Sequence, residues 1–141
     1  MKYIIVTQTY PPRIGGMQNV MISISKRLSS IEDTHVFPDH FLSKKNGYIN
    51  SKLYIHNNFS PKIFRPFIKK YLVNKIYKDN DVVICDSWKS IKAVPSKVRK
   101  IFVLAHGQEF LSTNKKFWQI KTSLNRASCI ICRSSYTNNL M

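Results

Sequence analysis

The 141-residue sequence predicts an α/β fold, a parallel sheet with helices on both faces, on three observations. Short β-branched apolar runs alternate with stretches of three- and four-residue apolar spacing. A Gly-Gly pair separates the first such run from the first such stretch, and no repeat, low-complexity tract or linker interrupts the alternation. With 43% hydrophobic residues and only 4 Gly and 6 Pro, the chain is too apolar for disorder and suits one folded domain, residues 1–141.

Each element has its own signal. Residues 2–8 (KYIIVTQ) have the β-branched and aromatic content of a buried strand, and residues 9–16 (TYPPRIGG) form a loop punctuated by Pro and Gly. Val20, Ile24, Leu28 and Ile31, with Met17 and Met21 beside them, recur at helical spacing, so an amphipathic helix covers 17–30. Residues 35–41 and 52–56 read as two short strands about a polar turn at 43–50. Pro61 then sits early in a helical segment. Ile63, Phe64, Phe67, Ile68, Tyr71, Leu72 and Ile76 mark one face of it, Lys62, Lys69, Lys70, Lys75 and Lys78 the other, and Pro66 is expected to break the first turn. A strand at 81–85 (DVVIC), a short helix at 87–94 and a strand at 100–105 (KIFVLA) follow. After them come a helix capped by Asn114 and reaching Arg126, a strand at 129–132, and a last helix over 136–141 capped by Ser134. This βα order is that of a Rossmann-like sheet.

Charge and apolar runs narrow the classes of function. Lys and Arg number 23 against 7 Asp and Glu, a net charge of +16. Nine basic residues and no acidic one fall between His40 and Lys78, and no carboxylate follows Glu109. Such a field attracts polyanions: nucleic acid, anionic lipid headgroups, or phosphorylated and nucleotide-linked substrates. The longest apolar runs, at 3–6 and 101–105, are too short to span a bilayer, and the N-terminus lacks the apolar stretch of a signal peptide, so a cytoplasmic location is expected. Cys85, Cys129 and Cys132 lie in apolar runs and are expected to be core residues. Cys129 and Cys132 would point to opposite faces of a strand, which excludes a C-x-x-C zinc or redox site.

Three places carry candidate chemistry. Gly15 and Gly16 stand between a strand and a helix, where missing side chains let an anion reach backbone N–H groups; the alternative is a tight turn that needs positive φ. His106, Gly107, Gln108 and Glu109 follow a strand at the carboxyl edge of the sheet, where open α/β folds bind ligands, although an isolated histidine there is more often a loop residue satisfied by backbone. Glu109 offers an orienting partner or base, or is a solvated loop carboxylate. Asp86 and Ser87 reach the same edge, or cap the helix that follows. Neither G-x-S-x-G nor H-E-x-x-H occurs.

In order, YPPRIGGMQNV (10–20), DVVICDSW (81–88), HGQEF (106–110) and SSYTNNL (134–140) resemble the motif series of family 4 retaining glycosyltransferases, over nearly the whole chain. The resemblance implies the amino-terminal, acceptor-side half of a GT-B fold. It also implies a nucleotide-sugar donor with no metal, and a cell-envelope glycan or lipid-linked acceptor. By it, Gly15 and Gly16 would approach the donor diphosphate and His106 the donor sugar, with Asp86, Ser87, Gly107, Glu109, Ser134 and Tyr136 as further donor or acceptor contacts. Asp86 stands where many members have His, and Ser135 where an acidic residue is frequent. Members continue into a second domain that binds most of the nucleotide, so this stretch alone is expected to transfer no sugar. In members with membrane-located acceptors, basic and apolar surface docks on anionic bilayers. The segment 63–78 would do so here, placing the protein peripherally on the inner face of the cytoplasmic membrane. Alternatively it is a surface helix with Phe64, Phe67 and Leu72 turned to the core. The rival class is a nucleic-acid-binding module, which +16 and seven Tyr would suit, but no RNP-like strand, zinc-finger spacing or recognition helix supports it.

Overall fold

In the computed structural model the described residues are 1–12, 14–39, 51–58, 60–107, 114–132, 135 and 139, with 114 and 115 described by backbone alone. Six strands, β1 (Tyr3–Val6), β2 (Thr34–Phe37), β3 (Leu53–Ile55), β4 (Val82–Cys85), β5 (Ile101–Ala105) and β6 (Cys129–Cys132), form one sheet. Every pairing is parallel, and the order is β3-β2-β1-β4-β5-β6. The helices are α1 (Gly16–Ser29), α2 (Arg65–Ile76), α3 (Trp88–Ile91) and α4 (Asn114–Leu124). The protein is a Rossmann-like α/β fold.

The period of two along β1 divides the core. Ile4 and Val6 join Val73 of α2, Trp88 and Ile91 of α3, and Ile120 and Leu124 of α4 on one face of the sheet. Ile5 joins Met17, Met21, Ile24 and Leu28 of α1 on the other. β1 and β4 are sealed on both faces, which explains their unbroken apolar runs. At the amino edge, buried Asp81 accepts from the Lys2 and Lys78 amides, both at 2.8 Å.

Several sequence expectations are corrected. Cys85 is buried, but Cys129 is exposed and Cys132 half-buried, because β6 is an edge strand with little cover. Pro66 does not break α2; it sits in the first turn, where a missing N–H costs no helical bond. The apolar face of that segment does not turn to the core at Phe64 and Phe67, which are 56% and 70% exposed. α2 instead buries Val73 and Lys69, with Leu72 half-buried against the core. Lys69 is therefore not part of a solvated lysine face. The 43–50 turn and the 136–141 helix lie outside the described residues, apart from Asn139, and so does the Asn114 cap.

Candidate functional site

The strand order reverses between β1 and β4: from β1 the chain moves outward to β2 and β3, then returns through α2 to β4 on β1's other side. Diverging connections leave a crevice at the carboxyl ends of two such strands. A cleft of about 330 Å³ lies there. Gln8 and Thr9 follow β1, Asp86 and Ser87 follow β4, and His106 follows β5; Met17, Trp88, Lys89, Lys116 and Ile120 complete its walls.

Asp86 organises the floor. One carboxylate oxygen, Oδ2, accepts from the Gln8 amide (2.8 Å), the Thr9 amide (3.0 Å) and the Thr9 hydroxyl (2.8 Å). The Thr7 hydroxyl lies 2.8 Å from the same oxygen and 3.0 Å from the Thr9 carbonyl, so its single proton serves one or the other. Oδ1 accepts from Ser90 and, at 3.4 Å, from Ser87. With both oxygens filled and the residue 2% exposed, Asp86 holds the β1 and β4 exits together rather than presenting a carboxylate to a ligand. Ser87 occupies the N-cap position of α3, yet its hydroxyl goes to Asp86 and makes no capping bond to the helix.

His106 is anchored through Asp86's backbone. Its Nε2 lies 2.6 Å from the Asp86 carbonyl oxygen, which only accepts, so Nε2 carries the proton. Nδ1 and the ring edge are then what the imidazole offers to a ligand. Gly107, directly after it, has φ 77°, the left-handed region where a side chain is strained, so its glycine serves the turn that presents His106.

Lys69 braces the same corner from α2. Its ammonium donates to the Thr7 carbonyl (2.7 Å) and pairs with Asp39, tying the ends of β1 and β2 together. Burial holds its pKa below the ordinary lysine value, against the opposing pull of Asp39. The adjoining Cys85 thiol is pushed well up, chiefly by burial and then by Asp86, and is inert.

The glycine pair sits at the margin. Gly15 is the N-cap of α1 with φ 167°, ordinary extended backbone, so the positive-φ turn expected there does not form. A Cβ on Gly15 would meet only the tip of Gln18, and one on Gly16 would meet nothing within 4 Å. The helix start has no side-chain cap and no acidic residue in its first turn. Met17 contributes to the cleft wall, whereas Gly15 and Gly16 do not line it themselves. Buried Tyr10 fixes the loop leading to them: its hydroxyl lies 2.8 Å from Ser25 Oγ, whose own proton goes to the Ile22 carbonyl.

Of the residues singled out from sequence, His106, Asp86 and Ser87 share the cleft, while Gly15, Gly16 and Gly107 flank its lining residues in the chain. Glu109, Ser134 and Tyr136 lie outside the described residues. Thr9, Lys69, Lys89 and Lys116 were not anticipated as site residues. Of the two cleft lysines only Lys89 carried a faint signal, lying within a few residues of the end of β4. Among the described residues no helix is long and apolar enough to cross a membrane. The chain matches no family model, and no curated protein or solved structure is similar enough to register as a match.

Proposed function

We propose that this chain is the acceptor-side half of a retaining glycosyltransferase of the GT-B kind, acting with a nucleotide-sugar donor. One observation carries the reading: the cleft at the β1/β4 strand reversal has His106 held by Nε2 on one side and Met17, just inside the uncapped start of α1, on the other. The motif resemblance along the chain agrees with it. Glycosyl transfer leaves a nucleoside diphosphate, and negative charge grows on its phosphate oxygens as the bond to the sugar breaks. Free N–H groups of the first turn of α1, with Lys89 and Lys116 across the cleft, would stabilise that charge. His106 would meet the sugar side through Nδ1 or its ring edge. A second domain would supply the rest of the donor site, so the 141 residues alone are expected to bind weakly and turn over nothing.

The test is a ¹H–¹⁵N titration of the chain with a nucleoside diphosphate and its sugar conjugate. Shifts at Gly16, Met17, Lys89 and His106 are expected, with His106→Ala reducing the response to the conjugate more than that to the free diphosphate. Silent Gly16 and Met17 amides at millimolar ligand would refute it, as would sugar transfer by the isolated chain.

The exposed face of α2 supports an anionic membrane as a partner. Ile63, Phe64, Phe67 and Tyr71 are exposed, and so are Lys62, Lys70, Lys75 and Lys78. At about 1 kcal/mol per lysine near an anionic leaflet, the four supply about 4 kcal/mol, enough for reversible peripheral docking when the aromatic rings add their burial. A peripheral position on the cytoplasmic membrane follows from this proposal.

A further inference from the structure

α3 and α4 pack against each other, and two hollows lie along their seam. One is the cleft, lined by Trp88 and Lys89 of α3 and by Lys116 and Ile120 of α4. The other, of about 320 Å³, lies between Lys92 and the α4 residues Trp118, Gln119, Thr122 and Ser123. Lys89 and Lys92 both stand over the Trp88 ring, at 5.8 and 5.1 Å from its centroid. Trp118 is 67% exposed, an unusual position for the largest apolar side chain. Phe117 stands edge-on to it, and the Lys121 ammonium sits 5.4 Å from its ring centroid.

The seam is thus a furrow of two hollows, the cleft and its neighbour, with an exposed indole and a row of cations. Beyond Asp86, whose oxygens are filled from within, the rest of the sequence holds one carboxylate, Glu109, against ten Lys and Arg. Nothing on the described surface of the furrow neutralises it. An indole face attracts the polarised C–H groups of a saturated ring, as the face of a pyranose presents them, through the negative face of its π system. Lysines placed one helical turn apart match charges repeated along a chain.

Resting on the glycosyl-transfer reading, we infer that the α3/α4 furrow seats the acceptor and that the acceptor is an anionic glycan. One of its sugars stacks on Trp118, and its carboxylate or phosphate groups meet Lys89, Lys92, Lys116 and Lys121. The growing end lies in the cleft at His106, and the units behind it run along the seam.

The experiment is calorimetric and fluorescence titration of the whole chain with three probes: a hexamer of galacturonic acid, maltohexaose, and a dodecamer of thymidylate. All positions changed are exposed, and circular dichroism confirms that each variant is folded. The acidic hexamer is expected to bind, to perturb indole emission, and to weaken with rising salt. Trp118→Ala and the pair Lys92→Gln with Lys121→Gln are each expected to weaken it tenfold or more. Equal affinity for maltohexaose overturns the anionic assignment. Unchanged binding in Trp118→Ala overturns the furrow, and tighter binding of the thymidylate through the same residues makes the surface a nucleic-acid site. The diphosphate titration reads Gly16, Met17 and His106 and does not depend on Trp118. A hexamer that binds while the diphosphate leaves those residues silent therefore upholds the glycan furrow and removes its role as acceptor site.

Discussion

Replacing Asp86 by Ala removes the acceptor on which the β1 and β4 exits converge. The Gln8 amide loses its partner at 2.8 Å, and the hydroxyls of Thr9 and Ser90 lose theirs, while the Thr9 amide keeps Thr7 Oγ1 at 3.0 Å. The Thr7 hydroxyl retains the Thr9 carbonyl at 3.0 Å. Each buried donor left unpaired costs about 1–3 kcal/mol, and half-buried Gln8 and Thr9 recover part of that from water, so Asp86→Ala should lose about 2–4 kcal/mol. Asp86→Asn is the informative control. An amide oxygen turned toward Gln8 and Thr9 preserves those bonds, and the amide nitrogen meets Ser87 and Ser90, whose hydroxyls can rotate to accept. Only the charge assistance goes, at about 1–2 kcal/mol. A chain of this length holds about 7–20 kcal/mol, so both variants remain folded and urea unfolding with unchanged m resolves them. Amide exchange at Gln8 should accelerate in the Ala variant alone. Equal losses in both would show that charge, not oxygen placement, matters here; a loss below 1 kcal/mol in Asp86→Ala would refute the network altogether.

Acid should weaken the fold through the stacked pair at the sheet edge, where His35 Nδ1 and His56 Nε2 lie 2.9 Å apart. Burial, and then the His35 charge, holds His56 down to about 4 against an ordinary 6.5. Its folded pKa lies below its unfolded one, so the unfolded chain takes the proton first: the contribution is whole above about pH 6.5 and is lost as pH falls toward 4. Full conversion would be about 3 kcal/mol, which solvent screening of the partly exposed ring cuts to about 1–2 kcal/mol. The urea midpoint should fall between pH 7.5 and 5, and His56→Asn should flatten that slope; an unchanged slope disproves the role. On membranes, the chain should sediment with vesicles containing phosphatidylglycerol and not with neutral ones, and Phe67→Asp should abolish the association without changing the melting temperature. Failure to sediment at low salt eliminates docking by α2.

The sheet was legible because strands sealed on both faces leave a record in the sequence that needs no partner to decode: YIIV, VVIC and IFVLA are unbroken apolar runs. His106, Asp86 and Ser87 were legible for a related reason, since whatever directly follows a parallel strand arrives at the carboxyl edge. Their roles were legible only in part, His106 being held by backbone as one of its two readings had it. A carboxylate after a strand looks the same whether its oxygens face a ligand or five neighbours, and the donors that fill Asp86 come mainly from the chain around Thr7, 79 positions away. The glycines divide differently from their sequence readings: Gly15 needs no positive φ, whereas Gly107, read only as a possible ligand contact, does.

Of the two orientations that the sequence left open for α2, the structure rejects the one with Phe64 and Phe67 turned to the core, and the cause is specific. Apolar spacing alone turns Phe64, Phe67 and Leu72 inward and the lysines outward. At 100° per residue, Phe67 and Lys69 lie about 200° apart around the helix, so one of them faces out when the other faces in. Lys69 finds two acceptors at the strand exits, the Thr7 carbonyl and the Asp39 carboxylate, whereas Phe67 would gain only apolar area there. Turning Lys69 out would leave the Thr7 carbonyl and the Asp39 carboxylate, 22% exposed, without their cation, a penalty that Phe67 turned out does not incur. The ion pair therefore sets the rotation of the helix, and Phe67 and Tyr71 are left on the surface as its consequence. An exposed aromatic stripe beside lysines can arise this way without any selection for a partner, which is why the sedimentation of Phe67→Asp, and not the stripe itself, decides whether the membrane is one.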